Sequence, residues 1–570
     1  MNIPKQEYPR PSFVRDRGWI NLNGEWQFEI DHSDTGKERN FQNRETFNSK
    51  ILVPYCPEST LSGIGNTDFM KAVWYKREFD VPAEWNNGKI LFHIDACDYR
   101  TEVWVNGKSV GTHVGGYTPF AFDITNVVKY GEANTVVVYA FDDARDPLQP
   151  TGKQDTVYQN IHYCWYYTRT TGIWQTVWLE YVPNIYIDKI KMTPDVDNSL
   201  LKVRVTANEC VEASKVIAET FYEGKPMGKT EAIIDGKYVD FDINIEELYL
   251  WNPRDAKLYD IVFTLGEDKV TSYFAMRKVA IKGYAIEIND VPVFQRLVLD
   301  QGYCGEGVYT APSSEYYERE IRWALEAGFN GARMHEKIFE PYYLYWADKL
   351  GYMLWGEYAN YHWDCSRPEA LYHMLPEWLE AVERDYNHPS IVGWCPVNEG
   401  TDYRIARTYI FLYDVTRAID PMRPIIDTSG WIHAKTDVYD SHDYSGMPDF
   451  GKHYESLNTG EGPAYISMGW GKVPAIPYEE QPYMVSEFGA AAVNLMTHEP
   501  TEEEYERFYR TFKEHVDVLL DNKKMCGFCY CQWCDSAIHE CNGFITEDRR
   551  KKYDFARTYE IMNRKAYIEK

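Results

Sequence analysis

SIVGWCPVNE, residues 390–399, is the stretch on which the fold turns. From Ile391 to Val397 it is near-continuously apolar, so both faces of an extended chain are covered, as in a parallel sheet flanked by helices. It then closes on two polar residues, Asn398 and Glu399. Segments of the same kind stand on either side: FQRLVLD (294–300), FNGARM (329–334), YMLWGE (352–357), RPIIDTSG (423–430), DVYDSHDY (437–444), PYMVSEF (482–488) and MCGFCYCQW (525–533). Between most of them lie amphipathic helical stretches such as SSEYYEREIRWALEAG, RPEALYHMLPEWLEAVERDY and EEEYERFYRTFKEHVDVLL. Eight strands alternating with helices from residue 283 to 570 predict a (β/α)8 TIM barrel. A doubly wound sheet shares that alternation, but the polar residues closing the strands favour the barrel, whose active sites gather at the C-terminal strand ends.

Upstream the rhythm is different. Residues 1–183 read as short alternating strands broken by turn residues, in NLNGEWQFEI, AVWYKREFDVP, KILFHIDACDYRTEVWVNGKSV, NTVVVYAFDD and GIWQTVWLEYV, with Asn106-Gly107 at a tight turn. This predicts a β-sandwich. Residues 184–282 repeat the habit on the scale of an immunoglobulin-like β-sandwich, through YIDKIKMTPDV, LLKVRVTANE, SKVIAETFYE, KYVDFDINI and LYDIVFTL. The expectation is therefore a multidomain chain in which two β domains precede a catalytic barrel.

Composition bounds the partners. Lys plus Arg number 60 against 87 for Asp plus Glu, a net charge of −27 over 570 residues. Such a chain repels polyphosphate and anionic lipid, so neither nucleic acid nor membrane is an expected partner. Aromatic residues make up 16% of the chain, enough both to fill β cores and to offer platforms for the apolar faces of sugars. MNIPKQEYPRPSF has no basic region followed by an apolar one, which points to a cytoplasmic protein. Cys526, Cys529, Cys531 and Cys534 have the spacing of a metal site, but they lie in a run of strand length whose side chains alternate between faces, so four thiolates are not expected to converge. No metal and no cofactor is called for, since no phosphate-cradling Gly-rich loop or His/Glu metal motif appears.

The fourth barrel strand ends in Glu399 and the seventh in Glu487. Those strands lie on opposite sides of an eight-stranded barrel, so the two carboxylates can face each other across its mouth. Glycoside hydrolysis needs that arrangement: one carboxyl gives a proton to the leaving oxygen while the other stays ionised to attack the anomeric carbon.

The chain resembles glycoside hydrolase family 2 along essentially its whole length. WINLNGEWQF, DYRTEVWVNGKSVGTHVGGYTPFAFDIT and TTGIWQTVWLEYV resemble the family's sugar-binding jelly-roll domain, and GFNGARMHEK, ADKLGYMLWGE, HPSIVGWCPVNEG and VSEFGA resemble its barrel, in the right order. The resemblance implies a retaining enzyme acting on a glycoside or oligosaccharide, with Glu399 as acid/base and Glu487 as nucleophile. It also implies that Asn398 meets the sugar 2-hydroxyl, that Arg333 sits beneath Glu487, and that His335, Tyr444 and Trp533 contact substrate, Trp533 as a stacking platform. Asp300, Glu357, Asp443 and His442 are further substrate-binding candidates, and assembly into a homo-oligomer through the β domains is implied as well. The family's glucuronidases carry an Asn-x-Lys pair before a GIFTRDR-like stretch. Here Glu540-Cys541-Asn542 precedes GFITEDRR, so an anion stands where the substrate carboxylate would lie and the lysine is missing. The expectation is an exo-acting β-galactosidase, with an α-L-arabinosidase as close competitor and a β-glucuronidase requiring a substitute cation. A non-catalytic carbohydrate-binding protein on the same scaffold is the alternative of another class, weakened because both Glu399 and Glu487 remain.

Overall fold

The computed structural model describes the chain apart from residues 1–2, 17, 157–165, 401–404, 462–463, 468–475, 496 and 537–539. In its C-terminal part β1 (Gln295–Asp300), β2 (Gly331–Met334), β3 (Met353–Glu357), β4 (Ile391–Cys395), β5 (Tyr439–His442), β6 (Tyr483–Phe488) and β7 (Met525–Tyr530) form one 7-stranded parallel sheet. Their order is β4-β3-β2-β1-β7-β6-β5, a barrel opened only between β4 and β5. Among the described residues the expected strand 423–430 is absent. That segment closes the gap with isolated bridges, Trp394 to Ile425 and Asn398 to Ser429, and with a hydrogen bond from His442 N to Gly430 O of 3.3 Å. Pro424 has no N–H to give a ladder. Asp427 instead draws the backbone into a turn, accepting from Ala434 N at 2.6 Å and Lys435 N at 3.0 Å.

Strand parity sorts the residues. Leu297, Leu299, Met353, Trp355, Val392, Met484 and Cys529 share one buried cluster, whereas Val298, Leu354, Ile391, Val485, Phe528 and Tyr530 belong to the larger core shared with the helices. Those helices are α1 (Ser314–Ala327), α2 (Pro341–Leu350), α3 (Leu371–Asp385), α4 (Ala406–Ile419), α5 (Glu502–Asp521) and α6 (Phe555–Met562). Phe528 and Tyr530 point toward helices, which puts Cys529 on the opposite face, and Cys534 lies 2.9 Å from Arg549 Nη1. The aromatic excess is spent mainly on packing: Trp26, Trp74, Trp174, Trp178, Trp251, Trp355, Trp378 and Trp394 are all fully buried.

The N-terminal domain stacks a 4-stranded on a 6-stranded antiparallel sheet. Val73, Tyr75, Phe92, Ile94, Val103, Val105, Val136 and Val138, at alternating strand positions, fill the space between them. Asn106 and Gly107, at φ 51° and 76°, make the expected tight turn between Arg100–Val105 and Lys108–Val114. The middle domain is an antiparallel β structure with its own core. Its long strand Leu200–Tyr222 pairs with Ile187–Asp195, Lys225–Asn244 and Tyr259–Leu265.

A loop of the N-terminal domain, residues 149–156, is laid against the barrel mouth. Thr151 N donates to Tyr361 O at 3.3 Å and Gly152 N to Ala359 O at 3.1 Å. Gly152 has φ +58°, and a Cβ there would come within 2.3 Å of Glu336 O, so the approach requires glycine.

Candidate active site

The ends of β4, β5 and β6 converge on one point. The ladder between β5 and β6 shifts register at Ser441/His442, and that between β6 and β7 shifts between Val485 and Phe488. Irregularities of this kind re-aim side chains at strand ends, and here Glu487 and His442 both turn toward the mouth. Glu399 follows β4 with a left-handed backbone, φ 54°, anchored by Glu399 N donating to Ser429 O at 2.8 Å. One carboxylate oxygen each of Glu399 and Glu487 and a ring nitrogen of His442 lie within 4.8 Å of one another, and among the described residues this is the one converging group of metal-ligand type. The carboxylate separation is of the order of the roughly 5 Å that double displacement uses, and well short of the 6.5 Å or more at which inversion begins.

Both carboxylates are held by neighbours. Arg333, buried at the end of β2, donates from Nη1 to Glu487 Oε1 at 3.3 Å and to Ser486 O at 2.6 Å, and from Nη2 to Asn398 Oδ1 at 3.1 Å. Its Nε donates to Glu357, whose other oxygen is 3.1 Å from His335 Nδ1. Burial alone would raise the Glu357 pKa, but Arg333 and His335 bring it down to about 2. Tyr444 OH donates to Glu487 Oε2 at 2.6 Å. Tyr361 OH donates to Glu399 Oε2 at 3.2 Å, and His442 Nδ1 lies 2.9 Å from Glu399 Oε1. Asn398 keeps its Nδ2 buried and without a partner, as are Glu336 Oε1, Gln301 Oε1 and Gln532 Nε2. Buried polar atoms left over in this way are the groups a sugar hydroxyl can engage.

The loop 149–156 adds a cation. Lys153 is buried, with Nζ 4.4 Å from the centre of the Tyr361 ring. Burial would lower its pKa, but the charges of Glu399, Glu336, Glu487 and Glu540 together raise it, so it remains an ammonium. No hydrogen bond or ion pair ties its Nζ to another described residue. Glu540 accepts from Tyr167 OH, and burial pushes its carboxyl up to about 7 against the opposing charge of Lys153.

Of the residues expected from sequence, the structure brings together Glu399, Glu487, Asn398, Arg333, His335, Glu357, Tyr444 and His442. Three others lie elsewhere. Asp300 follows inward-facing Leu299 and so points outward, accepting from Gly302 N at 2.8 Å and Tyr343 OH at 3.1 Å. Asp443 likewise faces away from the mouth, its carboxylate taken by Ser445 N, His453 and Tyr454. Trp533 is no stacking platform: it is 3% exposed, its Nε1 donates to Glu320 of α1 at 3.0 Å, and its ring packs on Phe329 and Phe555. Sequence reading missed Lys153, Tyr361 and Glu336. Tyr361 and Glu336 follow quoted strand ends closely, but Lys153 belongs to another domain and carries no local signal beyond a Gly-Lys pair.

Comparison with known proteins agrees with this architecture. Residues 20–183 match the sugar binding domain of glycosyl hydrolases family 2, and residues 342–528 match the TIM barrel domain of the same family. A beta-glucuronidase of Sus scrofa is 25% identical over 571 residues, covering 91% of this chain and 84% of that protein. One of Paenibacillus borealis is 25% identical over 450 residues, covering 73% and 74%. Among solved structures, Ruminococcus gnavus beta-glucuronidase superposes with a TM-score of 0.79 at 20% identity, covering 98% of this chain and 99% of that one. Lactobacillus rhamnosus beta-glucuronidase gives 0.79 at 19%, covering 99% of each. The protein is thus a glycoside hydrolase, an enzyme that cleaves glycosidic bonds. It belongs to glycoside hydrolase family 2.

Proposed function

We propose that this enzyme is an exo-acting, retaining β-glycosidase whose glycone is a β-glucuronide, with Glu487 as nucleophile and Glu399 as acid/base. Glu487, held by hydrogen bonds from the Arg333 guanidinium and Tyr444 OH, attacks the anomeric carbon. Asn398, its Oδ1 fixed by Arg333, offers its free Nδ2 to the sugar 2-hydroxyl, a contact that tightens as the oxocarbenium-like transition state forms. In this reading the N-terminal sandwich (1–183) and an immunoglobulin-like middle domain (184–282) support the barrel (283–570), and the first also lends a loop to the pocket.

The observation that carries the glycone is Lys153. A galactoside was expected because Glu540 replaces the family's asparagine and the neighbouring lysine is missing, which left the substrate carboxylate without a cation. Lys153 supplies one from a different domain, and Glu540, protonated in part near neutrality, is a weaker obstacle than a fixed anion. The glucuronidase relatives favour the same reading. One observation keeps a neutral glycone as second reading: Glu540 with Tyr167 is a hydroxyl-binding pair that a β-galactoside or α-L-arabinoside would use.

Turnover of 4-nitrophenyl β-D-glucuronide, β-D-galactoside and α-L-arabinoside decides between them. The glucuronide should have the highest kcat/KM, and Lys153→Met should lower it by about 10- to 100-fold, the worth of a charge-assisted contact of roughly 1.5–3 kcal/mol, while lowering any galactoside activity much less. A wild type that prefers the galactoside, or a Lys153→Met variant that loses both equally, overturns the glucuronide reading.

A further inference from the structure

In the free enzyme Glu399 is held down to about 2: burial would raise its pKa, but the hydrogen bond and charge of His442, and then the charges of Lys153 and His335, reverse that. A carboxyl of that strength carries no proton near neutrality, yet the leaving oxygen needs one. The nearest store is the imidazole beside it. His442 is buried at the end of β5, with Nδ1 2.9 Å from Glu399 Oε1 and Nε2 3.5 Å from Glu487 Oε1 and 3.2 Å from Ser429 Oγ. The ring thus reaches both carboxylates of the reaction, one from each nitrogen.

We propose that His442 is the positioning residue that stores the proton of the general acid, so that the acid is the Glu399–His442 pair rather than Glu399 alone. In the first half-reaction the Nδ1 proton passes to Glu399 and from there to the glycosidic oxygen. The C1–O bond breaks with its electron pair leaving on the aglycone, and a Glu487 oxygen bonds to C1. In the second, Glu399 takes a proton from water and returns it to Nδ1 while the water oxygen bonds to C1 and Glu487 departs with its pair. Atoms and charge balance over the cycle. The groups facing the ring are consistent with a stored proton. Burial lowers its pKa, Glu487 of β6 and Glu399 beyond β4 raise it by more, Arg333 of β2 opposes them, and Asp440 on its own strand stands behind Ser429, which donates to it at 2.7 Å. The net shift is upward. The inference rests on the roles assigned to Glu399 and Glu487.

The test separates substrates that need an acid from those that do not. The variants are His442→Asn and His442→Gln, assayed on 2,4-dinitrophenyl and 4-methylphenyl β-D-glucuronides, with the galactosides substituted if the wild type prefers them. The dinitrophenolate leaves unaided, so its kcat/KM should stay within about threefold of wild type, whereas the 4-methylphenyl substrate should lose about 100-fold. Equal losses on both substrates, or no loss on either, overturn the proposal. Glu399→Gln should show the same split or a larger one; if it does not, the assignment of Glu399 has failed and the pair falls with it, whereas a split in Glu399→Gln without one in the His442 variants overturns the role of His442 alone. If neither His442 variant folds, protein labelled with 15N-histidine decides the matter. One ring protonated at pH 7 in the wild type should lose its proton in Glu399→Gln, and an unchanged histidine spectrum overturns the proposal.

Discussion

A carboxyl group raised to about 7 beside a lysine changes its charge within the range in which an enzyme works, and Glu540 is such a group. On the proposed glucuronide reading, below that value it is neutral and leaves Lys153 to attract the uronate; above it, it is an anion that repels the uronate and competes for Lys153. The kcat/KM for a β-glucuronide should therefore fall as pH rises through about 7, and in Glu540→Gln that fall should disappear, as pH–rate profiles of the two proteins will show. At Glu487 a different loss is expected. Glu487→Gln removes the nucleophile but keeps the donors Arg333 and Tyr444 within reach, so kcat should drop by about four orders of magnitude or more with the thermal midpoint little altered. A near-normal rate would dismiss Glu487 from its role. At this scale the sequence was legible where a residue ends an apolar strand and sits in a motif, as Glu399, Glu487 and Arg333 do. It misled where strand parity was not applied. Asp300 follows Leu299, which faces the barrel axis, so Asp300 must face outward, and period 2 alone was enough to see it. Lys153 was out of reach, because its place depends on how two domains dock.

Among the elements, the segment that replaces the missing strand has its own anchor. His433 is fully buried, with Nδ1 2.9 Å from Asp427 and Nε2 3.1 Å from Asp440. Burial would lower its pKa, yet the two carboxylates lift it to about 10. The folded value thus exceeds the ordinary value of about 6.5, so the stability this group contributes is complete below about pH 6.5 and is lost as pH rises through 10. Asp427→Asn leaves the imidazolium with one counter-charge and should cost about 3 kcal/mol at pH 6, with a smaller loss of stability between pH 7 and 10 than in the wild type, as measured by urea unfolding. Seven strands of the barrel were readable, β3, β4, β6 and β7 as largely apolar runs and the others from their place in the alternation with helical stretches. RPIIDTSG has the apolar pair of a strand, but Pro424 and Asp427 commit its backbone to a turn, and an apolar pattern records burial rather than hydrogen bonding.

Across the whole molecule, the proposed glucuronide reading sets a net charge of −27 against an anionic substrate. The long-range field repels a glucuronide that the buried Lys153 attracts at short range, and only the first of these is screened by salt. Raising ionic strength from about 10 to 150 mM should therefore increase kcat/KM for the glucuronide by about two- to threefold and leave a neutral glycoside unchanged, the reverse of the usual behaviour of a charged substrate in an oppositely charged cleft. A decrease with salt would mean that an exposed positive patch, rather than Lys153, guides the substrate.

Gly152 fits under Glu336 with no room for a methyl group, so the chain that brings Lys153 to the barrel follows one path or none. On the proposed glucuronide reading, selectivity for the sugar is consequently carried by a loop of the accessory module rather than by the barrel strands. A lineage could retune its diet by altering a handful of codons there, with the machinery of hydrolysis inherited intact.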